Sequence, residues 1–96
     1  MIWQLRTYTI KPGHMDDFRD LWTNWVVPAR KRVGFEVKGG WFNEEDGIFV
    51  WLVGHAAPDG WEAVEQDYYE NGGREKFPHS PKEFVAEIET RLLSEA

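Results

Sequence analysis

An α+β domain running strand-helix-strand-strand-helix-strand is the fold class that this chain of 96 residues predicts. Three observations predict it. The opening stretch, IWQLRTYTIKPG, alternates side chains with period two and then stops. Apolar residues next recur every three or four positions, and the alternation returns beyond Gly34. A strand-helix-strand-strand-helix chain would leave a bare sheet edge, which a fourth strand near the C-terminus would cover.

The first strand places Ile2, Gln4, Arg6, Tyr8 and Ile10 on one side and Trp3, Leu5, Thr7 and Thr9 on the other. Both faces are mixed, as in a central strand covered on one side and facing a partner or pocket on the other. Lys11-Pro12-Gly13 ends it, because proline donates no ladder hydrogen bond and glycine permits the turn.

Met15, Phe18, Leu21, Trp22, Trp25, Val26 and Ala29 then form one apolar helical face. Asp16 and Asp17 at its start and Arg30, Lys31 and Arg32 at its end suit the helix dipole, and Gly34 is a stop signal. Pro28 removes the bond to the Asn24 carbonyl and should kink the last turn.

Phe35 to Phe42 alternates again, with Phe35, Val37, Gly39 and Trp41 on one face. The paired glycines mark a bulge or a close approach to the backbone. Asn43 to Gly47 makes a hairpin loop, and Ile48 to His55 reads as a central strand buried on both faces. Pro58-Asp59-Gly60 opens a second helix carrying Ala57, Trp61, Val64 and Tyr68 at helical spacing, which Asn71-Gly72-Gly73 ends. Arg74 to Pro81 reads as irregular. Glu and Leu propensities in FVAEIETRLLSEA favour a helix, but topology favours a strand near Val85 to Leu93.

Composition narrows the function. A net charge of −6 disfavours nucleic acid, whose phosphates need Lys and Arg. The absence of cysteine excludes disulfides, thiol nucleophiles and thiolate metal sites. The apolar run Ile48 to Gly54 is too short to cross a membrane, and Gln4 and Arg6 interrupt any signal-peptide core. A cytoplasmic protein of one domain, 1–96, is therefore expected. Its size makes burial of further surface by dimerising plausible.

Among candidate site residues, His14, His55 and His79 lack metal-motif spacing, so no metal site is expected. No phosphate-cradling loop or nucleophile elbow is present, and no cofactor is expected. His55 is the candidate general base, since desolvation at the end of an apolar strand would keep it neutral. Equally, it is a strand-end histidine bonded to a loop carbonyl. Arg6 and Tyr8 share a face: toward a cleft they would hold an oxyanion, and toward solvent or a partner they would pair with an acid such as Glu89. The six tryptophans either fill the core and an interface or line a pocket for a flat, apolar ligand. The candidate wall is Trp22, Trp51, Trp61 and Tyr68, with Tyr69 at the mouth.

The segments LRTYTIKPG, DDFRDLW, VVPARKRVGF and IETRLL together resemble the NIPSNAP family, within the dimeric α/β-barrel superfamily of ferredoxin-like folds. The resemblance implies a β-α-β-β-α-β order with a four-stranded antiparallel sheet, and a homodimer whose sheets meet across a twofold axis. It also implies a ligand cleft between sheet and helices. Related barrels include cofactor-independent monooxygenases, lactone isomerases, haem-degrading enzymes and binding proteins. Haem degradation is disfavoured because the second helix has no histidine to ligate iron. Three readings stand: a monooxygenase- or isomerase-like enzyme acting on a small apolar or aromatic molecule, a binder of such a molecule, and an interaction dimer.

Overall fold

The computed structural model describes all 96 residues, Met1–Ala96. Strand β1 (Ile2–Ile10) leads into helix α1 (Met15–Leu21), a π-helical stretch (Trp22–Val26) and α2 (Val27–Arg32), which form one continuous helical run. Strands β2 (Glu36–Asn43) and β3 (Ile48–His55) form a hairpin, helix α3 (Trp61–Asn71) follows, and β4 (Val85–Ser94) closes the chain. The sheet order is β2-β3-β1-β4, with every neighbouring pair antiparallel. This is the ferredoxin-like α+β arrangement. The two strands expected to be central are central, and the C-terminal segment is a strand despite its helical propensity. Its backbone pairs with β1 from Ile2↔Ser94 to Ile10↔Val85, satisfying an edge that would otherwise be open.

The helices cover one sheet face. Arg6, Tyr8 and Ile10 of β1 and Phe49, Trp51 and Val53 of β3 are buried against them in an aromatic core with Phe18, Leu21, Phe35 and Tyr68. Tyr8 meets Phe18 edge-on at 5.6 Å and Trp51 at 6.3 Å. Burial on both faces of β3 is not what the single chain shows: Ile48, Val50 and Leu52 alternate as half-buried residues on the side no helix covers.

Two local features differ from the periodic reading. At Pro28 the helical run changes its hydrogen bonding. It widens ahead of Pro28, where the Val27 N–H donates to the Trp22 carbonyl, and α2 then resumes with Pro28 in its first turn. Proline supplies no N–H to the preceding turn, and the i→i+5 bond accommodates that loss. The extra residue moves Trp25 out of the apolar face to 39% exposure, against Phe77. In β2 the register against β3 shifts between Val37 and Gly39. This bulge splits the residues expected to share a face: Val37 pairs with Val53 on the helix side, whereas Trp41 pairs with Val50 and is 56% exposed on the other. Gly40 is the close-approach glycine, since a Cβ there would lie 2.5 Å from Phe49 and 2.9 Å from Trp22.

The connection from α3 to β4 is two short 3₁₀ turns, Arg74–Lys76 and Pro81–Glu83. Ser80 and Glu83 close the second as a capping box, with the Ser80 N–H donating to Glu83 at 2.8 Å. That hydrogen bond and nearby His79 hold the Glu83 carboxyl below its ordinary pKa. Within that second turn the Lys11 ammonium donates to the Lys82 carbonyl at 3.2 Å, and just after it Val85 pairs with Ile10 of β1.

Candidate functional site

Alternation in β1 sends Gln4, Arg6 and Tyr8 toward the helices, where all three are buried. The Arg6 guanidinium is tied in place: Nε donates to the Tyr8 hydroxyl at 2.8 Å and Nη1 to Gln4 Oε1 at 2.7 Å. Its carboxylate neighbour is Glu65 of α3, 3.6 Å away, and not an acid on β4. Burial opposes the charge on Arg6, but Tyr8 and Glu65 favour it and raise its pKa, so the group stays cationic.

The other oxygen of Glu65 accepts a hydrogen bond from Nη1 of Arg30, which is 1% exposed. Arg30 also lies 3.9 Å from the centre of the Tyr68 ring and 4.8 Å from that of Phe35. Of the three consecutive basic residues, only Arg30 continues the inward phase of Val26, four positions before it. Lys31 and Arg32 are exposed, as helix-end charges should be.

Between sheet and helices these residues wall a cavity of about 420 Å³, lined by Arg6, Tyr8, Val26, Arg30, Trp51, Tyr68, Tyr69, Arg74, Pro81, Lys82, Val85 and Ile88. That volume falls in the range of roughly 300–1,000 Å³ typical of small-molecule sites. Burial raises the pKa of the Tyr68 phenol, opposed by Arg30 and Arg74, so the group remains a neutral hydroxyl at physiological pH. A wider groove of about 580 Å³ runs between Asn24, Trp25, Arg32, Glu70 and Asn71. It is open and mixed in charge, with one apolar wall residue, and has none of the convergent buried groups of the smaller cavity.

Arg6, Tyr8, Trp51 and Tyr68 thus meet in one place. His55, Trp22 and Trp61 do not join them. The His55 Nδ1 accepts from the Ala57 N–H at 2.9 Å, which puts the ring proton on Nε2, 3.3 Å from the Val33 carbonyl. Both nitrogens serve the backbone, so no lone pair is left for proton abstraction. The latch holds Ala57 at a positive φ of 46°, a conformation a non-glycine residue rarely adopts. His55→Ala should therefore cost about 1–3 kcal/mol by leaving buried backbone groups unpaired. Chemical denaturation would measure that loss, with ligand affinity unchanged in the folded variant. Trp61 packs edge-on against Phe35 in the core, and Trp22, half-buried, packs edge-on against the core residues Phe49 and Trp51.

Comparison with known proteins places this geometry in a family. No curated protein matches the chain. An uncharacterized NIPSNAP domain protein from Burkholderia xenovorans superimposes with a TM-score of 0.83 at 15% identity, over 100% of this chain and 95% of the other. A NIPSNAP family protein of unknown function from Agrobacterium tumefaciens gives 0.84 at 16% identity, over 100% and 88%. An antibiotic biosynthesis monooxygenase gives 0.74 at 14% identity, over 100% and 99%. At such identities these likenesses show the fold alone. The family itself is shown by its sequence profile, which matches residues 3–96: the chain belongs to the NIPSNAP family.

Proposed function

We propose that this protein is a homodimer that binds a small apolar or aromatic molecule in the cleft between sheet and helices. The observation that carries the reading is the convergence of Arg6, Tyr8, Trp51 and Tyr68 on one cavity with apolar walls from Val26, Val85 and Ile88. Dimerisation has separate support. Trp3, Leu5, Val50, Leu52, Trp41 and Leu93 lie on the sheet face that no helix covers, and Trp41 and Leu93 are 56% and 39% exposed. A second copy laid face to face would bury that surface.

Transformation of the ligand is a second reading, favoured by the Arg6–Tyr8 pair. Guanidinium and phenol donors held rigidly beside a cavity are suited to stabilising an enolate or phenolate oxygen. With His55 engaged by the backbone and Glu65 between two arginines, the site offers donors for a developing anion and no unengaged base. The fold shared with an antibiotic biosynthesis monooxygenase is compatible with this reading.

Screening aromatic compounds by tryptophan fluorescence, alongside light scattering, tests the proposal. The expected result is a species of twice the 11.3 kDa chain mass whose emission changes saturably, because Trp51 is in the cavity wall. Mass analysis of the bound compound separates the two readings: recovery unchanged favours binding alone, and a product favours transformation. A folded monomer with no saturable response would overturn the proposal.

A further inference from the structure

We propose that the ligand held in this cavity is an anion, specifically a small aromatic or alicyclic carboxylate. The inference rests on the binding reading above and names its ligand class. It starts from a charge imbalance. The chain as a whole is acidic, at −6, yet the cavity is lined by Arg6, Arg30, Arg74 and Lys82 and by no carboxylate. Glu65 is paired with Arg6 and Arg30, whereas neither Arg74 nor Lys82 has an ion-pair partner. The cationic side chains of the wall therefore exceed the negative charge set against them, in a protein whose surface is otherwise negative. Such a site focuses a field that attracts anions.

The donors tell the same story. The Nε atoms of Arg30 and Arg74 are buried with no hydrogen-bond partner. Arg30 is almost wholly inaccessible, so its unpaired N–H has lost water without gaining an acceptor. Arg74 sits over Tyr69, 4.7 Å from the ring centre, and is held beside the cavity by stacking instead of by a carboxylate. An incoming carboxylate would be met by the reachable cations of the wall, the half-buried Arg74 guanidinium, whose planar fork suits two carboxylate oxygens, and the exposed Lys82. The remaining wall decides what must be attached to it. Tyr8, Trp51 and Tyr68 offer ring surface, and Val85 and Ile88 close the β4 side. Free inorganic phosphate would use the cations and leave this apolar surface bare.

The test compares 1-naphthoate with 1-naphthamide, which share a ring system and differ in charge, by titration calorimetry on the full chain, with inorganic phosphate as a third probe. The carboxylate is expected to bind about tenfold more tightly than the amide at low ionic strength, since charge-assisted hydrogen bonds are roughly twice as strong as neutral ones. Added salt should narrow the gap. Arg74→Gln should weaken naphthoate by about tenfold and leave naphthamide within about twofold. Lys82→Gln, at an exposed position where folding is not at stake, should act in the same direction by a smaller factor. Equal affinity for the two naphthyl probes would overturn the anion inference and leave the cavity reading intact. Phosphate binding more tightly than naphthoate would overturn the aromatic or alicyclic carboxylate as the ligand class. Failure of all three probes to bind at millimolar concentration would overturn both.

Discussion

Replacing Glu65 by alanine is expected to lower the unfolding free energy by about 3–5 kcal/mol, the usual cost of removing one member of a buried ion pair. The magnitude follows from what is left behind. Arg30 cannot move to water without abandoning Phe35, Trp51 and Tyr68, and Arg6 is fixed by Tyr8 and Gln4. One carboxylate is thus shared by two buried guanidinium groups on different elements, β1 and α2. Thermal denaturation of Glu65→Ala beside the exposed control Glu62→Ala would measure the effect, and a loss no greater in Glu65→Ala than in the control would contradict it. The double variant Glu65→Leu with Arg30→Met should recover part of the loss, because it removes the Arg30 charge along with its partner while Arg6 keeps only its neutral partners Tyr8 and Gln4.

Trp51→Ala should cost about 3–5 kcal/mol as well, by a different route. Trp51 is fully buried at the centre of β3, edge-on to Tyr8 and Trp22 and within 5.6 Å of both guanidinium groups. Its removal opens a void between sheet and helices and takes away one wall of the ligand cavity. Trp51→Phe keeps most of the packing and deletes an indole N–H that is buried with no partner. It should cost clearly less than the alanine variant in chemical denaturation. If Phe and Ala cost the same, packing does not set the value of this position.

How much of this was legible in the sequence depended on the kind of pattern each residue belonged to. Period-two and period-three-to-four repeats report burial, and they located the first three strands and both helical regions; the fourth strand followed from topology, against its helical propensity. Alternation also put Arg6 and Tyr8 on one face. Which face met the helices was not legible, because each side of β1 mixes polar with apolar residues. Glycine marked the β2 bulge, but a bulge reverses the facing of everything beyond it, which is how Trp41 came to lie opposite Val37. Arg30 was hidden by its neighbours. A run of three basic residues at a helix end has a sufficient explanation in the helix dipole, and the one clue was its spacing of four from Val26. Arg74 and Lys82 lie in a connection with no repeat, so only the folded chain brings them to Arg6. His55 showed the reverse problem: a histidine ending an apolar strand has the composition of a site, and its two backbone hydrogen bonds make it a latch.

On the proposal above, this protein meets its ligand in the cavity between sheet and helices, through arginine donors set in an aromatic wall. Side-chain ¹H–¹⁵N NMR tests this most directly, because the wall contains N–H groups that are buried and unpartnered, Arg30 Nε, Arg74 Nε and Trp51 Nε1. On titration with 1-naphthoate, those three signals and the Arg6 Nε are predicted to shift together and saturate at one affinity, with the Trp3 and Trp41 indole signals unmoved. Shifts confined to Trp3 and Trp41, on the opposite face of the sheet, would contradict the account.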